Sequence, residues 1–197
     1  GWEIVNEGKQ RLTAETMPLA REIVETTNLV ITIHLPYSDL NLASMNQPIW
    51  EETIRQMKSC ISLASEFSRL AVVHPGYLSP LGKQMPDRAW EQNILGLQEI
   101  CDHAADHNMT IAVENMLNIE SMLGRKPEEI LGMLENVRRE NPGFVFDVGH
   151  ANTNGNVDSS LALKDELVHV HVHDNKGVRD EPLPVQSGNA NWSRGAN

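Results

Sequence analysis

Six side chains that can bind a metal ion lie at or just after the ends of predicted strands in this sequence: His34, His74, Glu114, Asp147, His150 and His171. The stretch 143–150, GFVFDVGH, shows the pattern best, because an apolar strand ends in Asp147 and His150 follows three residues later. A carboxylate oxygen and an imidazole nitrogen can bind one divalent ion or two adjacent ions. The mixture suits Zn, Mn, Co or Fe better than Ca, which prefers oxygen ligands. We therefore predict a divalent-metal site, although a single histidine is more often a hydrogen-bonded structural residue.

The elements that must position these side chains are short apolar strands alternating with amphipathic helices. The predicted strands are residues 2–5, 29–34, 70–74, 110–114, 144–147 and 167–173. The predicted helices are residues 13–27, 49–67, 87–108, 127–139 and 159–166, with Asp87 as the N-cap of the third. We expect residues 35–48 and 151–158 to be loops.

Strands alternating with helices are typical of a parallel sheet. The first strand is not followed by a glycine-rich phosphate loop, and the polar residues follow many successive strands rather than one switch point. Both observations favour a barrel over an open sheet. We predict an α/β fold, a (β/α)8 TIM barrel that is incomplete because only six β/α units are found, whereas a complete barrel has eight and about 250 residues. Residues 1–197 form one domain in this prediction, with 174–197 as an irregular tail.

Strand alternation places each polar residue above a smaller side chain two positions earlier. The smaller residues are Thr32, Val72, Ala112 and Val145. In the last strand, three histidines share one face, and we expect three valines to pack on the other. These residues are His169, His171, His173, Val168, Val170 and Val172.

Composition disfavours some classes of partner. The net charge of −11 disfavours long-range attraction to nucleic acid or to an anionic membrane. No apolar run approaches the roughly 18 residues of a membrane span. Cys60 and Cys101 lie in helix-like segments, and we interpret them as reduced core residues of a cytoplasmic protein.

Five motifs in order resemble the xylose isomerase-like TIM-barrel superfamily, which includes AP endonuclease family 2 (the endonuclease IV type) and many sugar or sugar-phosphate isomerases and epimerases. The motifs are HLPY at 34–37, VVHPG at 72–76, VEN at 113–115, FDVGH at 146–150 and HVHDN at 171–175. The resemblance covers residues 2 to 190. It is specific for the superfamily and does not select one activity.

The resemblance implies roles for the polar residues. His34 and His74 would hold one metal ion, and Glu114 would bridge to a second ion held by Asp147 and His171. His150 and Asp180 would belong to a third site in the nuclease branch. In single-metal sugar isomerases, the ligands would be Glu114, Asp147, His171 and a further glutamate of the last strand. Glu114 and that last glutamate would also move the proton.

The sequence departs from the family pattern near its end. A histidine expected two residues after Asp180 is replaced by Pro182, which cannot bind a metal, and an expected glycine is Gln186. Residues 2–5 align with the second strand of the family, so we expect the first and last strands to be missing, together with the last glutamate.

Three functions remain open. The first is a metal-dependent sugar or sugar-phosphate isomerase or epimerase that uses Zn, Mn or Co, with a small-molecule substrate and with Glu114 and His150 as candidate catalytic residues. The second is an AP endonuclease or metal-assisted phosphodiesterase, which Pro182 and the acidic charge disfavour. The third is a non-catalytic barrel fragment that binds metal. A partial barrel has two open sheet edges, so we also expect a homo-oligomer, coverage of an edge by the tail, or poor solubility.

Overall fold

Six parallel strands pair in chain order, from β1 to β6, in the computed structural model, which describes residues 1–192. The strands are β1 Trp2–Val5, β2 Ile31–His34, β3 Ser68–Val73, β4 Thr110–Glu114, β5 Pro142–Asp147 and β6 Leu167–His171. The sheet curls, so that Glu3 on β1 contacts His171 on β6. The predicted α/β architecture, an incomplete (β/α)8 barrel of six units, is confirmed.

Helices alternate with the strands along the chain. They are α1 Met17–Thr26, α2 Gln47–Ala64, α3 Pro80–Gln84, α4 Pro86–Ala105, α5 Pro127–Val137, α6 Val148–Asn154 and α7 Val157–Ser160, with 3₁₀ turns at Gly8–Gln10 and Leu161–Glu166. In the described part of the chain, no helix is both long and apolar enough to cross a membrane.

The start of α4 differs from the prediction. Met85, not Asp87, occupies the N-cap, and Pro86 stands at the beginning of the helix. Proline suits that position, because its fixed φ is helical and the helix needs no N–H donor there. Asp87 lies instead in the first turn, where its charge complements the helix dipole.

The predicted loop at 151–158 was wrong, because α6 and α7 together occupy six of its eight residues. The side chain of Asp147 accepts a hydrogen bond from the His150 backbone N–H at 2.7 Å and caps the helix. Gly155 ends the helix with φ +66°, a conformation that glycine adopts without strain. Asp147 therefore has two roles, one in the site and one in starting α6.

Two apolar layers lie on either side of the sheet. The larger core lies between the sheet and the helices and includes the buried side chains of Ile33, Ile61, Leu97, Ile100 and Ile111. A smaller cluster fills the inside of the curl. It consists of Val72, Ala112 and Val145, as strand alternation predicted, with Leu70 against it.

Some large apolar side chains are exposed. Leu19 on α1 is 61% exposed, and the valines of the last strand, Val168, Val170 and Val172, are 39–55% exposed. Within residues 1–192, β6 has a paired strand on one side only, as has β1. The valines therefore do not pack as expected. Cys60 and Cys101 are buried and free, in agreement with the prediction.

The tail after β6 has neither a helix nor a strand within residues 174–192, but it is held by Asp174. That carboxylate is fully buried and accepts hydrogen bonds from Ala190 N at 3.1 Å and Trp192 Nε1 at 2.9 Å. Asp174 also pairs with Leu183 through backbone hydrogen bonds. The tail thus lies against α6, where Asn152 donates to Asn189, rather than along an open sheet edge. Residues 193–197 lie outside the described part.

Replacing Asp174 with alanine is expected to release the tail and to lower the free energy of unfolding by about 1–3 kcal/mol, since hydrogen bonds to a charged group are worth about 1.5–3 kcal/mol each. Denaturant unfolding measures the loss, and tryptic cleavage at Lys176 and Arg179 reports release of the tail. The exposed Asp165→Ala is the matched control. Wild-type resistance to trypsin in Asp174→Ala would show that other contacts hold the tail.

Candidate metal centre

The carboxyl ends of the strands bring the predicted ligands together. Four of them are the last residues of β2, β4, β5 and β6: His34, Glu114, Asp147 and His171. His74 follows β3 by one residue, and His150 lies in the first turn of α6. Because the strands are parallel, all these positions lie at the same end of the sheet.

The first group of ligand atoms consists of His34, His74 and Glu114. The Nε2 atoms of the two histidines lie 3.1 Å apart, and Glu114 Oε2 lies 3.4 Å from the first and 3.1 Å from the second. The Nδ1 atom of His34 donates to the Leu35 carbonyl at 2.9 Å, because a carbonyl can only accept. In the neutral ring, Nε2 then carries the lone pair and faces the other two ligands.

The second group consists of Glu114, Asp147 and His171. His171 Nδ1 lies 2.9 Å from Glu114 Oε1 and 3.6 Å from Asp147 Oδ2. Glu114 thus directs one carboxylate oxygen to each group. Its side chain is 2% exposed, so this arrangement is fixed in the interior of the protein.

Asn115 braces the second group. Its amide donates to the Asp147 carbonyl at 2.9 Å, and its side-chain oxygen accepts from the Asp147 N–H at 2.8 Å. The end of β4 is therefore tied to the end of β5, which holds the two carboxylates at a fixed separation.

The two carboxyl groups are ionised despite their burial. Burial raises the pKa of Glu114, but its pairing with His171, His34 and His74 outweighs burial and holds this pKa well below its ordinary range. Burial likewise raises the pKa of Asp147, but hydrogen bonds from His171 and His173 outweigh burial and hold this pKa below its ordinary value.

His150 and Asp180 form a third group on the other side of Asp147. His150 Nε2 lies 3.4 Å from Asp180 Oδ2, while its Nδ1 donates to the Asn115 carbonyl at 2.8 Å. His173 joins them, with Nε2 3.2 Å from Asp147 Oδ1 and 3.6 Å from Asp180 Oδ1. His173 was not predicted as a site residue, although strand alternation placed it on the face of His171.

Sequence reasoning also missed Glu3 and His169. Glu3 Oε1 lies 3.0 Å from His171 Nε2, and Glu3 Oε2 lies 3.3 Å from His169 Nε2. The contact with His171 is not aligned as a hydrogen bond. A carboxylate in the middle of an otherwise apolar strand was the available signal.

The donor atoms fit a divalent transition metal. Zn–N bonds of about 2.0–2.1 Å at a tetrahedral angle place two ligand atoms about 3.3–3.4 Å apart. The separations of 3.1, 3.1 and 3.4 Å in the first group are close to that spacing. Imidazole nitrogens with carboxylate oxygens are also ligands that Zn, Mn and Co accept.

Comparison with known proteins agrees with this geometry. The family model of the xylose isomerase-like TIM barrel matches residues 1–194. The chain belongs to this family. A solved D-tagatose 3-epimerase-like protein superposes with a TM-score of 0.93 at 37% identity, over 97% of this chain and 73% of that chain.

Two curated relatives of this xylose isomerase-like chain differ in name. An uncharacterized protein of Methanocaldococcus jannaschii is 37% identical over 196 residues, which cover 97% of this chain and 67% of the relative. A probable endonuclease 4 of Mycoplasmopsis pulmonis is 26% identical over 188 residues, which cover 85% of this chain and 64% of the relative. The chain spans about two thirds of the length of these relatives.

The metal-free protein is expected to be most stable between about pH 4.5 and 6.5. Burial lowers the pKa of His150 and His171, but the neighbouring carboxylates outweigh it and raise these pKa values to about 9 and about 12. A raised histidine pKa stabilises the fold fully below about 6.5, and this stability is lost as the pH rises through the folded pKa. Stability from the lowered pKa of Glu114 is instead lost as the pH falls below about 4.5.

Thermal unfolding of chelator-treated protein against pH measures this profile. In the variant His150→Asn, the unfolding temperature should fall less than in the wild type between about pH 6.5 and 9, because the contribution of His150 is lost. An unfolding temperature that rises steadily over the same interval in the wild type would contradict the raised pKa values of His150 and His171.

Proposed function

We propose that this protein is a metal-dependent sugar isomerase or epimerase that moves a proton next to a carbonyl group. The observation that carries the proposal is the buried, ionised Glu114, whose two oxygens face His74 at 3.1 Å and His171 at 2.9 Å. The likeness to a D-tagatose 3-epimerase-like protein at 37% identity supports a sugar as the substrate.

Glu114, Asp147 and His171 would hold the metal ion, and His34 and His74 would hold a second ion or bind the first from the other side of Glu114. A divalent ion there supplies positive charge that stabilises negative charge on a carbonyl oxygen and an adjacent hydroxyl. Both groups lie at the carboxyl end of the sheet, where barrel enzymes of this kind bind substrates.

Glu114 is the proposed base. Its carboxylate takes the proton from the carbon beside the carbonyl, the C–H electron pair forms the C=C bond of an enediolate, and the carbonyl electrons move to oxygen. Returning the proton to the former carbonyl carbon, while the proton of the adjacent hydroxyl passes to the former carbonyl oxygen, gives an isomer. An epimer forms when a second acid on the opposite face protonates the carbon that lost the proton, which is the role that the resemblance gives to the further glutamate of the last strand.

His150 is the proposed hydrogen-bond donor to the substrate. Its pKa, raised to about 9, keeps both ring nitrogens protonated at neutral pH. Nδ1–H donates to Asn115, so Nε2–H can donate to a substrate oxygen in place of Asp180. This donor would stabilise the oxygen that becomes negative when Glu114 removes the proton.

A second candidate function is metal-assisted cleavage of a phosphodiester, because Glu114 lies between two ligand groups and the chain is similar to a probable endonuclease 4. The net charge of −11 and Pro182 at the position of an expected histidine count against it. We therefore place it second.

The two functions are separated by two assays on metal-stripped protein reloaded with Mn²⁺, Co²⁺ or Zn²⁺. NMR in D₂O of a panel of ketoses and their phosphates detects exchange of the proton beside the carbonyl, and we expect metal-dependent exchange with at least one ketose. An abasic DNA duplex is the second substrate. Cleavage of the duplex without exchange on any ketose would reverse the ranking, and neither reaction with any metal would overturn both.

A further inference from the structure

Glu3 is a partly buried carboxylate on β1 that no step of the proposed reaction uses. Its side chain is 21% exposed and lies across the inside of the sheet from β6. Thr32 Oγ1 on β2 donates to Glu3 Oε2 at 3.0 Å, which fixes the carboxylate from the other side. Glu3 Oε1 then lies 3.0 Å from His171 Nε2.

His171 therefore has a carboxylate at each ring nitrogen. Nδ1 faces Glu114 and Asp147, while Nε2 faces Glu3. A neutral imidazole carries a proton on one nitrogen and a lone pair on the other. A metal ion held by Glu114 and Asp147 would replace the proton on Nδ1, so the remaining ring proton would be on Nε2, where Glu3 stabilises it because a carboxylate attracts an N–H group. That tautomer leaves the lone pair of Nδ1 directed at the metal site.

A competing interpretation makes Glu3, His169 and His171 a metal site of their own, since their ligand atoms all lie within 4.8 Å of one another. This would require the lone pair of His171 on Nε2. The two arrangements exclude each other, because a neutral ring that binds metal through Nδ1 keeps its proton on Nε2. The pairing of His171 Nδ1 with two carboxylates, one of them the buried Glu114, favours the first arrangement.

We propose that Glu3 is a positioning residue that fixes the tautomer and orientation of His171 for metal binding. The proposal rests on the metal centre of the proposed function and adds a residue outside its ligand set. Partners of metal-bound histidines typically change metal affinity about 10-fold to 100-fold when they are removed.

The test is calorimetric titration of chelator-treated protein with Mn²⁺ and Co²⁺, with metal content per chain measured in parallel. Three variants are compared with the wild type: Glu3→Leu, Glu3→Gln and His169→Gln. Glutamine keeps the shape of Glu3 and a partly negative oxygen near Nε2–H but removes the charge, whereas leucine keeps only the volume. Thermal unfolding of each metal-free variant shows whether the fold is retained.

Glu3→Leu is expected to weaken binding about 10-fold to 100-fold, Glu3→Gln less than that, and His169→Gln not at all. Wild-type affinity in both Glu3 variants would overturn the proposal and leave the metal centre intact. Loss of one whole ion per chain in both Glu3→Leu and His169→Gln would instead identify the competing site. A wild-type protein that binds no metal would overturn the proposed metal centre and this inference together.

Discussion

Replacing Glu114 with alanine is expected to remove bound metal and to lower kcat/KM for the sugar reaction by about 10⁴-fold. Glu114 belongs to both ligand groups, with one oxygen 3.1 Å from His74 Nε2 and the other 2.9 Å from His171 Nδ1. It is also the proposed base, and general acid–base catalysis typically contributes about 10²- to 10⁴-fold. Metal content per chain and kcat/KM with the best ketose measure the two effects.

The matched control is Glu120→Ala. The side chain of Glu120 is 90% exposed, and its ion pair with Lys83 is long, at 3.8 Å. It should retain metal and activity. Near-isosteric Glu114→Gln guards against misfolding, because it keeps the volume of a side chain that is 2% exposed. If Glu114→Gln retains metal and turns over at the wild-type rate, Glu114 is neither the base nor a ligand.

Replacing Asp147 with asparagine is expected to lower kcat/KM by roughly a hundredfold or more, since one well-placed electrostatic group in an active site is worth about 10²- to 10³-fold. Asparagine can still accept the bond from His150 N that caps α6, so the fold should be retained. It removes the charge 3.6 Å from His171 Nδ1 and therefore weakens the second group.

The variant His74→Asn tests whether the second ligand group is sufficient for activity without the first. His74 belongs to the first group alone, at 3.1 Å from Glu114 Oε2. A single-metal isomerase should lose far more activity in Asp147→Asn than in His74→Asn. Equal losses, with two ions per chain in the wild type, would favour a bridged two-metal centre and with it the phosphodiesterase alternative.

Much of the site could be predicted because it depends on local patterns. Apolar runs that end in a polar residue identify strand ends, and alternation with helices makes the strands parallel, so that their carboxyl ends meet. His34, Glu114, Asp147 and His171 are indeed the last residues of their strands. Three of the four smaller residues two positions earlier, Val72, Ala112 and Val145, also form the inner cluster, whereas Thr32 donates to Glu3.

The misses have two different physical causes. Residues 151–158 looked like a loop because they are small and polar, yet the Asp147 cap and the left-handed Gly155 delimit a helix that includes residues 151–154. His173 became a neighbour of Asp180 only because the buried Asp174 holds the tail against α6. A local cap decides the first case, and contacts between segments decide the second.

The fold class and the identity of the strand-end residues could be predicted from the amino-acid sequence alone, because strand and helix periodicity and parallel pairing depend on residues close together in the chain. The folded structure was needed to show which oxygen of Glu114 faces which histidine and that Glu3 contacts His171. Those contacts depend on side-chain rotamers and on the curl of the sheet, which brings Glu3 on β1 to within 3.0 Å of His171 on β6. Neither the rotamers nor the curl can be predicted from a local stretch of sequence.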